Sequence, residues 1–311
     1  MGEKSKFIGE TGEKTVENFL NLVGWNDTSK GIEFPCFDDL HNKERTHGLD
    51  FFFKYVSPLV DGVLKKINIS VKFTDNAYPS SPNSKFRDHF IDLAESMECF
   101  RYSENYAEIT KSISEQYQTS ENIGVLFWLS NENSVHEDII TKVANATLPS
   151  TYSFDSIYLV DNRKLEFIFS SITFAKSINT NYNLSFFYQD TGKNINPTIK
   201  KNFGTILPVE FINTSVLPMR LENPSDNSTK LILTCINNFD IEDLKRLISL
   251  SQELTNSWSS DILIAFPDYN VTRNSKEVEI AKSSFESSFT KNISVVSFYP
   301  NSKSLQDETR T

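Results

Sequence analysis

Two apolar runs, His47–Phe53 and Ile67–Thr74, place the tightest limits on how this chain can fold. In the second run apolar and polar residues alternate with a period of two, which predicts a strand with one buried and one polar face. Ser70 and Lys72 then point the same way. Asp50 stands in the first run among leucine and phenylalanine side chains. Because burying an unpaired carboxylate costs several kcal/mol as an order of magnitude, a metal ion or a lysine must compensate it.

The length and charge of the chain limit the class of protein it can be. Its 311 residues, 38% of them hydrophobic, suffice for two domains of ordinary size. The formal net charge of −10 provides no global positive field, so a contact with nucleic acid needs a local patch, a metal ion or a basic partner. No apolar run approaches the roughly 20 residues that cross a bilayer, and the polar first residues do not resemble a signal peptide. We expect a cytoplasmic protein with no membrane partner.

The three cysteines, Cys36, Cys99 and Cys235, are far apart in the sequence. An odd count without CxxC spacing argues against a disulfide framework and against a zinc site. The sequence therefore predicts that they are ordinary small core residues.

A helix is predicted over residues 10–24, where apolar residues recur at helical spacing. Gly12 lies inside its apolar stripe, where the missing side chain lets another element approach closely. Glu13 and Glu17 border that stripe on one flank, since they are four residues apart. Charges in such positions are ordinarily solvated.

The first 175 residues form one predicted domain. Its remaining elements are a short strand, a long helix, a continuous apolar strand, a second helix and a hairpin of two strands: 32–37, 86–100, 123–129, 135–146, and 157–160 with 165–169.

Residues 176–300 form a second predicted domain, of α/β class with a mainly parallel sheet. It opens with a polar connection over 177–201 that holds a candidate strand at 184–188, and then strands and helices alternate: 231–236, 241–254, 262–266, 277–289 and 293–298. No phosphate-cradling glycine pattern opens either helix. The domain is a candidate sensor or partner-binding unit, and residues 301–311 are predicted to be a disordered tail.

The order helix, strand, strand with Asp50, strand with Lys72, helix, strand resembles the PD-(D/E)XK, or restriction-endonuclease-like, nuclease superfamily. The resemblance implies an αβββαβ core. It assigns the family's aspartate to Asp50, its lysine to Lys72 and its helix glutamate to Glu17, with Glu13 as the alternative. The second acid of the motif falls on Ser70, which is a departure from the family pattern.

Three possibilities follow from the serine at this position. Glu17 supplies the second carboxylate, or an acid from the segment after Lys72 does so, or the site is inactive. The acids available in that segment are Asp75, Asp88 and Asp92.

For an active site the resemblance implies hydrolysis of phosphodiester bonds with Mg²⁺ or Mn²⁺. The metal would bind Asp50 and Glu17, or Glu13, and activate a water molecule. Lys72 would orient the nucleophile or neutralise charge on the phosphate. Ser70 can hold a metal-bound water, and His47 either contacts a phosphate or caps its strand.

A closer resemblance rests on three phrases of sequence: 8–13 (IGETGE), 47–52 (HGLDFF) and 70–74 (SVKFT). They are similar to the nuclease subunit of a two-gene bacterial anti-phage system of the GAPS type. This implies a co-encoded protein partner and DNA or RNA as substrate, and it leaves homo-oligomers open. The alternative function is a catalytically degenerate nuclease fold that binds nucleic acid or assembles a complex.

Overall fold

The computed structural model describes residues 3–39, 41, 46–111, 116–132, 137–178, 181–193, 201–255, 258–259 and 261–298, with side chains from residue 7 onward. The chain divides into two compact units, and the division falls near residue 165. The predicted boundary after residue 175 stays a prediction. The predicted tail, residues 301–311, lies outside the described residues.

The first unit is built on a five-stranded sheet in the order β1-β2-β3-β4-β5. Its elements are α1 (Glu3–Leu22), β1 (Ser29–Pro35), β2 (Thr46–Val56), β3 (Val63–Thr74), α2 (Asn83–Phe100), α3 (Glu104–Lys111), β4 (Thr119–Ser130), α4 (Ile139–Val143) and β5 (Ser156–Val160). The first three strands form an antiparallel meander. Strands β4 and β5 then add in parallel. This is the predicted αβββαβ core, with α3 as an element that the sequence did not indicate.

Aromatic packing fixes α1 on one face of this sheet. The ring of Phe19 meets Phe127 of β4 edge-on at 5.7 Å between centroids, and Trp25, just beyond the helix, stacks on Phe53 of β2 at 5.6 Å. Gly12 lies against β3, where an added Cβ would come within 2.3 Å of Phe73 Cβ. The close approach predicted at Gly12 is therefore present.

Helix α2 covers the opposite face of the sheet. Its Leu93, Met97 and Phe100 share one buried cluster with residues of β2 and β4 such as Phe52 and Leu126. As a result the polar side of β3 is also covered. Asn68 is fully buried there and donates to Asn122 Oδ1 at 2.7 Å and to the carbonyl of Ile123 at 3.1 Å. The sequence correctly predicted the alternation of β3 but not the burial of both faces.

The predicted hairpin is wrong in its second half, because residues 165–169 lie in helix α5 (Asn162–Ile178). The buried carboxylate of Asp161 accepts the Lys164 amide at 2.9 Å, which caps the first turn, and the Ile139 amide at 3.1 Å. Leu165 and the three residues 167–169 are all buried. A helix covered on several sides shows no helical period over five residues, so the pattern indicated a strand.

The second unit contains a six-stranded sheet in the order β11-β10-β9-β8-β6-β7. Its elements are β6 (Asn183–Phe187), β7 (Phe203–Gly204), a 3₁₀ turn (Val209–Phe211), β8 (Val216–Glu222), β9 (Thr229–Cys235), α6 (Ile241–Leu254), β10 (Asp261–Phe266), α7 (Val271–Ser283), α8 (Ser287–Thr290) and β11 (Ile293–Ser297). The alternating half, β9 to β11, is parallel as predicted. The half built from β6, β7 and β8 is antiparallel, so the sheet as a whole is mixed.

Asp240 and Asn270 begin the helices of that parallel half. The Asp240 carboxylate accepts the amides of residues 242 and 243, and the Asn270 side chain accepts the amide of residue 273. Both are the side-chain caps that polar residues supply at helix starts. Helix α7 begins six residues before the predicted 277 because Asn270 caps it there.

Candidate active site

Strand β3 holds the carboxylate of Asp50 in place. Asp50 Oδ2 accepts the Val71 backbone amide at 2.6 Å, and the Ser70 hydroxyl also donates to this carboxylate. Burial raises the pKa of the Asp50 carboxyl, and the Val71 amide and the charge of Lys72 offset only part of that rise. Asp50 is therefore a well-positioned oxygen ligand whose negative charge lacks full compensation.

Ser70 occupies the motif position where the superfamily has its second acid, and its hydroxyl is hydrogen-bonded to Asp50. Its side chain is buried and bonded to the Asp50 carboxylate. A hydroxyl in this place orients the aspartate but brings no charge of its own. The second carboxylate of the site must come from another element.

Helix α2 brings such a carboxylate to Lys72. Lys72 Nζ lies 2.6 Å from Asp92 Oδ2, and the side chains are 28% and 55% exposed. Asp92 also raises the pKa of Asp50, since the two negative charges repel each other. Of the three acids that the sequence offered after Lys72, Asp92 is the one that pairs with the lysine and interacts with the aspartate.

Glu13 and Glu17 have different surroundings although they share one flank of α1. Glu13 is exposed, but partial desolvation and the negative charges of Asp50 and Glu10 raise its pKa. Glu17 Oε1 instead lies 2.5 Å from Lys30 Nζ on β1, and this bond lowers the pKa of Glu17. Glu13 thus interacts electrostatically with Asp50, whereas Glu17 is paired with a lysine, and the predicted choice between them stays a prediction.

His89 is a neighbour of the site that the sequence did not indicate. It lies on α2, one turn before Asp92, with its ring edge-on to Trp128 at 5.4 Å. Burial and the positive charges of Lys72 and Lys85 lower the pKa of His89 to about 4. The imidazole is consequently neutral near pH 7 and adds no positive charge to the site. The sequence shows that His89 lies one turn before Asp92. This spacing points to the site only when Asp92 is known to be the acid beside Lys72.

His47 belongs to a different cluster. Its side chain is buried, beside those of His41, Cys99 and the half-buried Cys36, and it lies three residues along β2 from Asp50. His47 lies at the start of β2, next to Thr46, and its predicted roles as a phosphate contact or a cap of the strand stay predictions.

The acids around Asp50 are of the chemical type that binds a hard divalent cation, although among the described residues they do not form a close group of three ligands. Asp50, Glu13 and Asp92 offer carboxylate oxygens, the ligands that Mg²⁺ and Mn²⁺ prefer. The raised pKa values of Asp50 and Glu13 record desolvation together with repulsion between negative charges, which a bound cation would relieve.

A helix feeding a three-strand meander, with an aspartate on the second strand and a lysine on the third, defines a nuclease domain of the PD-(D/E)XK type. The chain belongs to one family of this type: the model of the GAPS4 protein PD-(D/E)XK nuclease domain matches residues 1–164, just over half of the 311. No curated protein and no solved structure matches the chain. Nucleases of this superfamily generally use divalent metal ions. In the described part of the chain, every helix is too short or too polar to cross a membrane.

Proposed function

We propose that the chain is a metal-dependent nuclease that hydrolyses phosphodiester bonds in DNA or RNA, as a subunit of a bacterial anti-phage defence complex. The observation that carries the proposal is the placement of Asp50. Its carboxylate is fixed by the Val71 amide and the Ser70 hydroxyl, and it interacts electrostatically with Glu13, Lys72 and Asp92.

Asp50 and Glu13 are the proposed ligands of Mg²⁺ or Mn²⁺. A divalent ion bound there would lower the pKa of a coordinated water and supply hydroxide near neutral pH. Glu13 takes the place first given to Glu17, because Glu17 is bonded to Lys30. Ser70 keeps the Asp50 carboxylate in one orientation.

Lys72 is the proposed contact for the reacting phosphate. Its ammonium group can donate to a phosphate oxygen and neutralise the charge that grows there in the transition state. Asp92 holds the Lys72 ammonium at 2.6 Å in the free protein and so positions it. The pair is partly exposed, so a polyanion can compete for the lysine at little cost.

The acidity of the chain supports a protein partner. With a net charge of −10 the chain has no general attraction for a polyanion, and the site itself contributes three acids and one lysine. We propose that a co-encoded partner supplies most of the grip on nucleic acid, and that residues 176–300 contribute to sensing or to binding this partner.

A cleavage panel tests the proposal. The full chain, alone and with its co-encoded partner, is incubated with single- and double-stranded DNA and RNA in Mg²⁺, in Mn²⁺ or without either. We expect metal-dependent cleavage that Asp50→Asn abolishes and that Glu108→Gln, at an exposed position on α3, leaves intact. Cleavage that survives Asp50→Asn and Lys72→Ala would place the chemistry elsewhere. A stable heteromer with no cleavage of any substrate would favour the degenerate binding module, the alternative that the serine at position 70 motivates.

A further inference from the structure

Four side chains with metal-binding atoms converge beside the candidate active site but outside it. Cys36 follows β1, His41 lies in the connection to β2, His47 is on β2, and Cys99 is in the last turn of α2. One ligand atom from each lies within 4.8 Å of all the others. Among the residues that the structure describes, this is the one group of three or more histidines, cysteines or acids whose ligand atoms lie close enough together to hold a metal ion.

The distances in this Cys/His cluster are those of a tetrahedron around one ion. With Zn–S bonds of about 2.3 Å and Zn–N bonds of about 2.0–2.1 Å, tetrahedral geometry separates two sulfurs by about 3.8 Å and a sulfur from a nitrogen by about 3.5 Å. The two sulfurs, Cys36 Sγ and Cys99 Sγ, lie 3.8 Å apart. His41 Nδ1 lies 3.5 Å from the first and 3.4 Å from the second. Three edges of the tetrahedron are therefore already in place.

Neighbouring groups orient two of the ligands as a metal would require. His41 Nε2 lies 3.3 Å from the Glu98 carboxylate. A proton on Nε2 donated to that carboxylate leaves the Nδ1 lone pair directed at the sulfurs, an arrangement common to histidines that bind zinc. Cys99 Sγ accepts the backbone amide of Phe37 at 3.4 Å, which fixes the position of the sulfur.

A disulfide does not account for the cluster, and hydrogen bonding accounts for only part of the contacts of His41. A disulfide would hold the sulfurs at about 2.05 Å, and both cysteines are free. Hydrogen bonding explains one contact of His41 Nδ1, because a neutral imidazole nitrogen carries a single lone pair. A single ion bonded to both sulfurs and to His41 Nδ1 accounts for these three distances together.

We propose that Cys36, His41, His47 and Cys99 form a structural zinc site. Two thiolates and two imidazoles in a tetrahedron are a typical Zn²⁺ donor set, and both cysteine protons are released when the ion binds. All four ligands come from the protein, and Cys99 and His47 are 1% and 7% exposed, so no position stays open for substrate. The ion ties the β1–β2 connection to the end of α2, and it thereby anchors the start of the strand that carries Asp50.

Metal content and cobalt substitution test this site in the full chain. The protein is purified without a metal-affinity tag, its zinc is counted by mass spectrometry, and the ion is then exchanged for Co²⁺. We expect about one zinc per chain, together with the visible absorption of tetrahedral cobalt and a thiolate-to-cobalt charge-transfer band. Cys36→Ser and Cys99→Ser should lose the zinc and weaken that band. Cys235→Ser is the control, because Cys235 is also a cysteine outside any disulfide but lies in β9 of the second unit.

Neither the zinc content nor the cobalt spectrum depends on cleavage, so both test the zinc site independently of the nuclease proposal. A folded wild-type chain with no bound transition metal and no cobalt spectrum overturns the site. So does a Cys36→Ser protein that keeps as much zinc as Cys235→Ser. If the cysteine variants fail to fold, the wild-type spectrum decides, since two thiolate ligands give a charge-transfer band that a carboxylate site cannot give.

Discussion

The Cys/His cluster and the Asp50 site share strand β2, three residues apart, yet they are built in opposite ways. The Cys/His cluster has sulfur and imidazole ligands, is closed, and is covered by the end of α2. The Asp50 site has carboxylate oxygens, and its Lys72 and Asp92 side chains are 28% and 55% exposed. Soft, closed ligand sets retain zinc for structure, whereas hard, open sets leave room for water and substrate.

The difference shows how one strand can serve stability and chemistry at once. His47 lies at the start of β2, where the connection from β1 needs an anchor. Asp50 lies deeper in the strand, where β3 offers the Val71 amide. The acids around Asp50 repel one another when no cation is present, so the site costs stability that the rest of the unit must supply.

The largest effect should come from Asp50→Asn, which removes a proposed ligand of the catalytic ion but keeps an oxygen for the Val71 amide. We expect cleavage to fall by more than about 100-fold, beyond the loss that changes around a ligand usually cause. The zinc content should stay at the wild-type value. Cleavage rates and zinc content, measured on the same preparation, check both of these expectations. Loss of zinc in this variant would break the separation between the two clusters.

Cys36→Ser should affect stability in a way that Asp50→Asn does not. An ion present at 100 times its dissociation constant stabilises the folded state by about 2.7 kcal/mol. At roughly 2–4 °C per kcal/mol, loss of zinc should lower the melting temperature by about 5–10 °C. Thermal denaturation of Cys36→Ser against the wild type measures this difference in melting temperature. Equal melting temperatures for the two would show that the cluster does not stabilise the fold.

Glu13→Gln and Glu17→Gln sharpen the description of the Asp50 site. We expect Glu13→Gln to reduce metal-dependent cleavage by about 10–100-fold, since it removes a carboxylate that interacts with Asp50. Glu17→Gln loses a partly exposed ion pair with Lys30, which is worth at most about 1 kcal/mol of stability. Its cleavage rate should stay close to that of the wild type. The reverse ranking would return the ligand role to Glu17.

Much of the first unit could be predicted from its sequence because its strongest signals are local. The alternation in 67–74, the apolar run 123–129 and the helical spacing of 86–100 all correspond to observed elements. The spacing of Asp50 and Lys72 on adjacent strands then led to the right superfamily. The hairpin at 157–169 failed because burial around α5 hid the helical period.

The contents of the two clusters could not be predicted, because they depend on contacts between distant segments. Glu13 and Glu17 share one flank of α1, and they differ in the charged group that interacts with each of them, Asp50 for one and Lys30 for the other. Asp92 is one of three acids that the sequence offers after Lys72, and only the packing of α2 shows that it pairs with the lysine. Cys36 and Cys99 lack any local spacing signal, and only the end of α2 brings them to 3.8 Å.

A smaller effect is expected at the contact that places Glu13, where α1 meets β3. A Cβ at Gly12 would lie 2.3 Å from Phe73 Cβ, so Gly12→Ala must push the helix away from the strand. We expect it to destabilise the protein by about 1–3 kcal/mol, the usual range for overpacking. Gly9→Ala is the control within the same helix, since nothing lies within 4 Å of its added Cβ. It should gain up to about 1 kcal/mol from helix propensity. Denaturant unfolding measures both, and equal destabilisation would mean that α1 does not depend on close approach at Gly12.

The smallest effect should be the pH dependence of the stability difference between wild type and Asp50→Asn, measured without added Mg²⁺ or Mn²⁺. Burial raises the pKa of Asp50 in the folded state, and Asp92 adds to this while Lys72 opposes it. At pH 7 the charged carboxylate therefore lowers the stability of the wild type, and Asp50→Asn should melt slightly higher. As the pH falls through the raised pKa towards the ordinary value of 3.8, the folded wild type takes up the proton and the difference should shrink. A variant that melts lower than the wild type at pH 7 would show that the bonds from Val71 and Ser70 to the charged carboxylate outweigh its burial. The Asp50 site would then contribute stability to the unit, and its contrast with the Cys/His cluster would be one of ligand type alone.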